Sequence, residues 1–135
     1  MQQMSRGPAN SIWSRDELAR IEGVDEIKIS ARRLDGVLRR PTIVWVVRVG
    51  ESLFVRSAHG LDAAWYRATR LCQEGHIEGG GVDRDVNFLD VAPDDPVHEE
   101  IDSAYRDRYR RYPKSYVLAV TTPDTHAVTL RLTPR

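Results

Sequence analysis

The chain has 135 residues, and twenty Lys plus Arg balance twenty Asp plus Glu, for a formal net charge of zero. That length buries one core but not two, and the balance provides no field that would favour nucleic acid or an anionic membrane as a partner. The absence of any run of eighteen apolar residues, the polar opening Met1-Gln2-Gln3-Met4-Ser5-Arg6-Gly7-Pro8 and the single Cys72 argue against a membrane span, a signal peptide and a disulfide framework, and predict a cytoplasmic setting.

Residues 1–11 read as a flexible lead-in to a single domain over 12–135. The first helix begins at Trp13-Ser14-Arg15-Asp16-Glu17-Leu18. Ser14 caps the backbone near Glu17, Glu17 returns the bond, and Trp13 staples onto Leu18. Gly23 ends the helix, and Glu26 to Arg32 then alternates polar and apolar as a half-buried strand does. Thr42 to Val49 is β-branched and aromatic, and Gly50-Glu51 joins it to Ser52-Leu53-Phe54-Val55-Arg56 through a turn of type II′. From Leu61 to about Gln73, apolar residues recur at helical spacing. His76-Ile77-Glu78 reads as a short strand, Gly79-Gly80-Gly81 as a mobile connection, and Asp85 to Val91 as a further strand. Asp94-Asp95-Pro96 opens a helix carrying Ile101, Tyr105, Tyr109 and Tyr112, closed by Pro113. Ser115 to Val120 and His126 to Leu132 read as two last strands around a turn at Pro123-Asp124. No βαβ alternation occurs, so the prediction is an α+β fold: an antiparallel barrel of six or seven strands with flanking helices.

Apart from Lys28 and Lys114, every Lys/Arg position is arginine. Guanidinium groups grip carboxylate and phosphate in a planar fork, but an arginine-rich chain also follows from a GC-rich genome, and composition leaves the two open. Arg32 and Arg33 are adjacent at a strand end, so their side chains point to opposite faces. Arg39 and Arg40 precede Pro41 and supply a second fork. The plain alternative is a solvated positive edge paired with Asp35 or Glu51. Trp65 shares a helix face with Leu61 and Ala68, which makes it structural by spacing; Tyr66 lies about 100° away. Tyr66 and nearby His59 are candidates to donate a proton to a developing anion. Ser57 and Cys72 lack a fixed histidine partner and are weak as nucleophiles. The four histidines are dispersed, with no HExxH or Cys/His set, so no metal is predicted; His76, Glu78, Asp83 and Asp85 meet only if the glycine loop folds back. The Tyr105, Tyr109, Tyr112 stripe interleaved with arginines reads as a helix face packed on the barrel or on a second subunit, ahead of a nucleic-acid surface.

The stretch Arg32-Arg33-Leu34-Asp35-Gly36, the strands from Thr42 to Ser57, and His59-Gly60-Leu61-Asp62-Ala63-Ala64-Trp65-Tyr66 resemble the flavin- and deazaflavin-binding split β-barrel proteins, especially deazaflavin-dependent nitroreductases. The resemblance implies a small-molecule ligand, FMN or deazaflavin, in a crevice at a homodimer interface. Arg32, Arg33, Arg39, Arg40, Ser57, Trp65 and Arg67 would then contact the cofactor, with Tyr66 and His59 in catalytic roles and oxidoreductase chemistry supplied by the cofactor. Leu34 and Asp35 depart from the small polar residues of the relatives, and a carboxylate there repels phosphate. The departure favours the alternative of a cofactor-free binding protein or an isomerase- or cyclase-type enzyme acting on a small acidic or aromatic metabolite. Over its whole length the chain also resembles a bacterial family that opens on Trp-Ser/Thr-x-x-Glu-Leu and ends in Thr-Leu-Arg-Leu-x-Pro-Arg, from which no activity follows.

Overall fold

A computed structural model describes residues 12–135, so the lead-in predicted for 1–11 lies outside the described residues. Helix α1 (Arg15–Glu22) starts as its sequence dictates. Ser14 Oγ accepts from the Glu17 N–H at 3.0 Å and Glu17 Oε1 accepts from the Ser14 N–H at 2.9 Å. Trp13, Leu18 and Ile21 are buried together.

Six strands follow, with helices between them: β1 (Glu26–Ala31), β2 (Thr42–Val49), β3 (Ser52–Arg56), β4 (Glu74–Gly79), β5 (Val82–Asp90) and β6 (Thr129–Pro134). All pairings are antiparallel, and the order β1-β2-β3-β6-β5-β4 closes on itself as a barrel. Closure leaves no unpaired strand edge. Inward residues Ile27, Ile29, Val44, Val46, Leu53, Val55, Ile77, Val86, Phe88, Leu130 and Leu132 form the interior core, which also takes Tyr66 and Ala68 from helix α2 (Ala64–Leu71) and the buried face of α1. The outer face of β2 and β3 carries a second core, in which Val47 and Phe54 pack with Ile101, Tyr105 and Tyr109 from helix α3 (Val97–Arg108) and its C-terminal extension. Burial on both faces is why β2 is a continuous apolar run rather than an alternating one.

The turn chemistry is specific. Val49 pairs with Ser52 across Gly50-Glu51, and only Gly50 has positive φ (62°), the signature of the predicted type II′ turn. Gly79 pairs with Val82, and Gly80 (φ 60°) and Gly81 (φ 86°) both lie in the left-handed region. The glycine triplet, expected as a mobile connection, is therefore a tight two-residue hairpin of type I′ packed against the end of α1.

Two expectations fail near the C-terminus. Ser115 to Val120, read as a strand, forms a short helix α4 (Lys114–Leu118) and its exit. With β6 already paired to β3 and β5, the closed barrel has no edge to receive another strand, and Pro113 sets a helical start. His126–Val128 belongs to a 3₁₀ segment (Pro123–Val128), and the last strand begins only at Thr129. Likewise, the helix predicted from Leu61 is a 3₁₀ turn (Gly60–Asp62) followed by α2, and Tyr109 and Tyr112 lie beyond the last residue of α3.

A Cβ on Gly80 would strike the backbone carbonyl of Arg20 in addition to straining a positive φ. Gly80→Ala is expected to destabilise the protein by about 2 kcal/mol or more, measured as a lowered urea midpoint at unchanged slope.

Candidate functional site

A cleft of about 510 Å³ opens beside the barrel. Its walls come from Thr42 to Trp45 of β2, Ala58 and His59 after β3, Trp65 of α2, Tyr112, and Tyr116, Ala119 and Val120 in and after α4, with Glu26 at the rim and Arg56 at the back. Trp45 stacks on Tyr109 with centroids 4.0 Å apart and planes 3° apart, and meets Tyr112 edge-on at 4.9 Å. The Tyr109 hydroxyl accepts from the Val46 N–H at 3.2 Å and lies 2.7 Å from the Asp25 carbonyl oxygen. Tyr112 donates to Asp25 Oδ2 at 2.7 Å. The tyrosine stripe is therefore committed to the barrel, where it holds Trp45 rigidly with its remaining surface toward the cleft.

Arg56 is the unusual group. Its side chain is 0 % exposed. Nε donates to Thr129 Oγ1 at 2.9 Å, Nη1 donates to the Val120 carbonyl at 2.8 Å and to Asp102 Oδ1, and Nη2 donates to His98 Nδ1 at 3.0 Å. A guanidinium only donates, so His98 Nδ1 must be the acceptor and its proton sits on Nε2, which donates to the Ala92 carbonyl at 2.8 Å. Burial keeps His98 below the ordinary imidazole range even though the Ala92 bond pulls the other way, with the nearby Arg56 guanidinium acting in the same direction as burial. His126 stacks on His98 at 4.4 Å and reaches Asp102 Oδ2 at 3.2 Å.

The predicted site residues separate into groups. His59 and Trp65 meet on the cleft wall. Ser57 lies just behind them, fully buried, its hydroxyl donating to the Gly60 carbonyl at 2.6 Å, so it shapes the turn that presents His59. Tyr66, expected on the pocket side, is 2 % exposed and sits in the interior core, with its hydroxyl 3.4 Å from the Ala127 carbonyl. Burial pushes its phenol above the ordinary range, which makes it a poorer proton donor. The helix phase is the reason: with Ala68 and Thr69 facing inward, Tyr66 turns in and Trp65 turns to the cleft. Arg67 is exposed on the other side of α2.

The arginine turn lies apart from the cleft lining. Arg32 donates to the Gly36 carbonyl at 2.6 Å and to Asp85 at 3.3 Å. Arg33 pairs with Asp35 at 3.0 Å, while Asp35 Oδ1 accepts from the Val37 N–H at 3.1 Å. Asp35 thus stabilises its own turn and neutralises Arg33, which is the paired-edge alternative. Arg39 and Arg40 are exposed, form no ion pair among the described residues, and lead through Pro41 into Thr42 on the cleft wall. Arg56, Trp45 and Tyr116, which no motif or spacing singles out, and Tyr112, which spacing marks only as part of a packed helix face, also line the cleft. The available signal was Arg56 itself, a charged residue continuing the apolar run Leu53-Phe54-Val55.

On the opposite hairpin, the fold-back needed to unite His76 with Asp83 and Asp85 does occur, through the type I′ turn. His76 Nδ1 lies 2.8 Å from Asp85 Oδ1, and Nε2 contacts Asp83. Glu78 is not part of the contact, and no group of three or more His, Cys, Asp or Glu able to hold a metal occurs among the described residues.

These features define the class as an α+β split β-barrel with a side cleft. The chain belongs to the DUF2255 family, described as uncharacterized protein conserved in bacteria, whose pattern matches residues 17–132. Among solved structures it is similar in fold to the heme storage protein HutZ from Vibrio cholerae, with a TM-score of 0.56 at 13 % identity over 90 % of this chain and 89 % of that one. It is also similar to an FAD and heme binding protein from Mycobacterium smegmatis, with a TM-score of 0.52 at 18 % identity over 92 % and 67 % of the two chains. A conserved hypothetical protein from Mycobacterium tuberculosis gives 0.51 at 12 % identity over 93 % and 81 %. No curated protein sequence matches. Among the described residues, no helix is long and apolar enough to cross a membrane.

Burial opposes a charge on His76, but the hydrogen bonds it donates to Asp85 and Asp83 outweigh it and hold the ring above the ordinary imidazole range. A raised folded-state pKa contributes stability fully below the unfolded value of about 6.5, and that contribution is lost as pH rises through the folded value. Urea unfolding of wild type and His76→Gln across pH 5 to 9 is therefore expected to show the largest difference at the acid end, shrinking toward the alkaline end.

Proposed function

We propose that the cleft binds a flat, conjugated small molecule and that the protein is a cofactor-using member of the split-barrel class, with flavin or deazaflavin as the ligand type. The observation that carries this reading is the wall itself: two indoles, Trp45 and Trp65, and two phenols, Tyr112 and Tyr116, border one cleft with His59. Aromatic faces suit a planar ring system, and a preformed apolar cleft with few polar groups is the usual form of a cofactor site. The names of two fold neighbours, one a heme storage protein and one an FAD and heme binding protein, support the same ligand shape.

The residues present fit the group in two places. The ring would lie against Trp65 and the free surface of Trp45, and an anionic tail would reach Arg39 and Arg40 beyond Thr42. Arg32 and Arg33 are already paired and contribute nothing to it. When bound, the cofactor supplies hydride chemistry; His59 is positioned to pass a proton to a substrate at the cleft mouth, a role Tyr66 is too deeply buried to perform. Ile43, 58 % exposed on the rim, is the surface a second copy would cover if the homodimer implied by the resemblance forms.

The paired state of Arg32 and Arg33 favours a second reading, a cofactor-free pocket for a small aromatic or acidic metabolite. Titration with FMN, oxidised deazaflavin cofactor and hemin, followed by tryptophan fluorescence and calorimetry, separates the two. Saturable binding to at least one of these is expected, weakened about tenfold by Trp65→Ala and unchanged by Arg33→Ala. Binding of none would remove the cofactor reading in favour of the metabolite pocket.

A further inference from the structure

The chain from Pro113 to Ala119 runs between two fixed ends and contributes Tyr116 and Ala119 to the cleft lining. At one end, Tyr112 is held by its hydroxyl to Asp25 and by its ring to Trp45. At the other, Val120 is buried and its carbonyl oxygen accepts from the immobile Arg56 at 2.8 Å. Between these ends α4 buries no residue. Its backbone bonds are local, and Thr121 Oγ1 donates back to the Val117 carbonyl at 2.9 Å. Among the described residues, no side-chain hydrogen bond or ion pair runs from Lys114–Ala119 to the barrel. Only Val117 is packed against the outer core, and only partly. Yet Tyr116, 59 % exposed, and Ala119 both line the cleft. A helix of one turn has no stability of its own in water, so this segment stays in place only through what lies beneath it.

We propose that Pro113–Ala119 is a strap that swings open about its two anchored ends to admit a ligand and closes over it, with Tyr116 as the side chain that covers the bound ring. Closure over a ring rests on the reading of the cleft as a planar-ligand site; opening does not. The Val120 anchor gives Arg56 a purpose beyond the core: it fixes where the strap returns, so that only the intervening residues move. Ligand binding would supply the packing that α4 lacks, so the closed state and the bound state stabilise each other.

The two lysines make the test direct, because a lysine-specific endoprotease has only Lys28 and Lys114 to cut. Lys28 is in β1, paired with Ile43 on one side and Glu78 on the other, and is reached only when the barrel unfolds. Lys114 is exposed at the start of the strap. In the free protein, cleavage after Lys114 is expected to be at least about tenfold faster than after Lys28. Saturating FMN or hemin, with saturation followed by tryptophan fluorescence, should slow it at least about fivefold. Tyr116→Ala, which removes an exposed side chain and leaves the fold intact by circular dichroism, should lose most of that protection. Equal rates at the two lysines would overturn the strap, since opening would then require global unfolding. Saturation without any slowing at Lys114 would overturn closure while leaving the binding site in place. Failure of FMN, hemin and oxidised deazaflavin cofactor alike to change the fluorescence would overturn the planar-ligand reading, and closure with it, while the rates in the free protein still decide whether the segment opens.

Discussion

A fully desolvated guanidinium fixes the relation between the barrel and everything packed on its outer face. Removing Arg56 from water costs several kcal/mol, and that cost is met only because an anion, Asp102, and three further acceptors surround it. The four partners come from three separate parts of the chain: Thr129 at the start of β6, Asp102 and His98 on α3, and Val120 at the end of the cleft. Satisfying one arginine therefore requires the last strand, the long helix and the C-terminal crossover to arrive in one mutual geometry. Removing Asp102 would leave a buried charge uncompensated, a loss of about 3–5 kcal/mol.

The second constraint is aromatic. β2 has two buried faces, and the outward one gives Trp45 to Tyr109 as a near-parallel stack. The Tyr109 hydroxyl is bonded in turn to the backbone of β2 and of the α1–β1 link, so the helix extension cannot slide along the barrel. Between the stack and the Arg56 network lies the cleft. Its back is rigid because both networks are complete, with no buried side-chain polar atom lacking a partner among the described residues. Its front, α4, is tied down by neither network. Rigid back and loose front together are the arrangement that the proposed closure over a ligand requires.

Much of the fold was legible in the sequence because it rests on local rules. Ser14 and Glu17 announce a capping box, Gly50 a type II′ turn, and the Thr42 to Arg56 hairpin its own register. Ser115 to Val120 misled because a short apolar run suits a strand or a helix equally, and only barrel closure, a property of all six strands, decides against a further one. The lining of the cleft was only partly legible in the sequence. His59 and Trp65 both lie on the cleft lining, but helical spacing assigns Trp65 to the core and Tyr66 to the pocket side, whereas Tyr66 is buried and Trp65 lines the cleft because α2 begins three residues late, after a 3₁₀ turn. The arginine pair at 32 and 33 reads as a charge cluster, yet pairing with Asp35 and Gly36 in its own turn and with Asp85 of β5 absorbs it. Arg56 gives little local signal, because its partners lie 42 to 73 residues away in sequence.

That the ligand site is the cleft and not the arginine turn is the claim on which the functional reading stands. Backbone amide NMR of the labelled protein during titration with FMN, and separately with hemin, tests it most directly. Shifts or broadening centred on Ala58–Trp65, Thr42–Trp45 and Tyr112–Val120, with Arg32–Leu38 unmoved, are the expected result. Changes confined to Arg32–Leu38 would contradict it and return the anion-binding role to the turn.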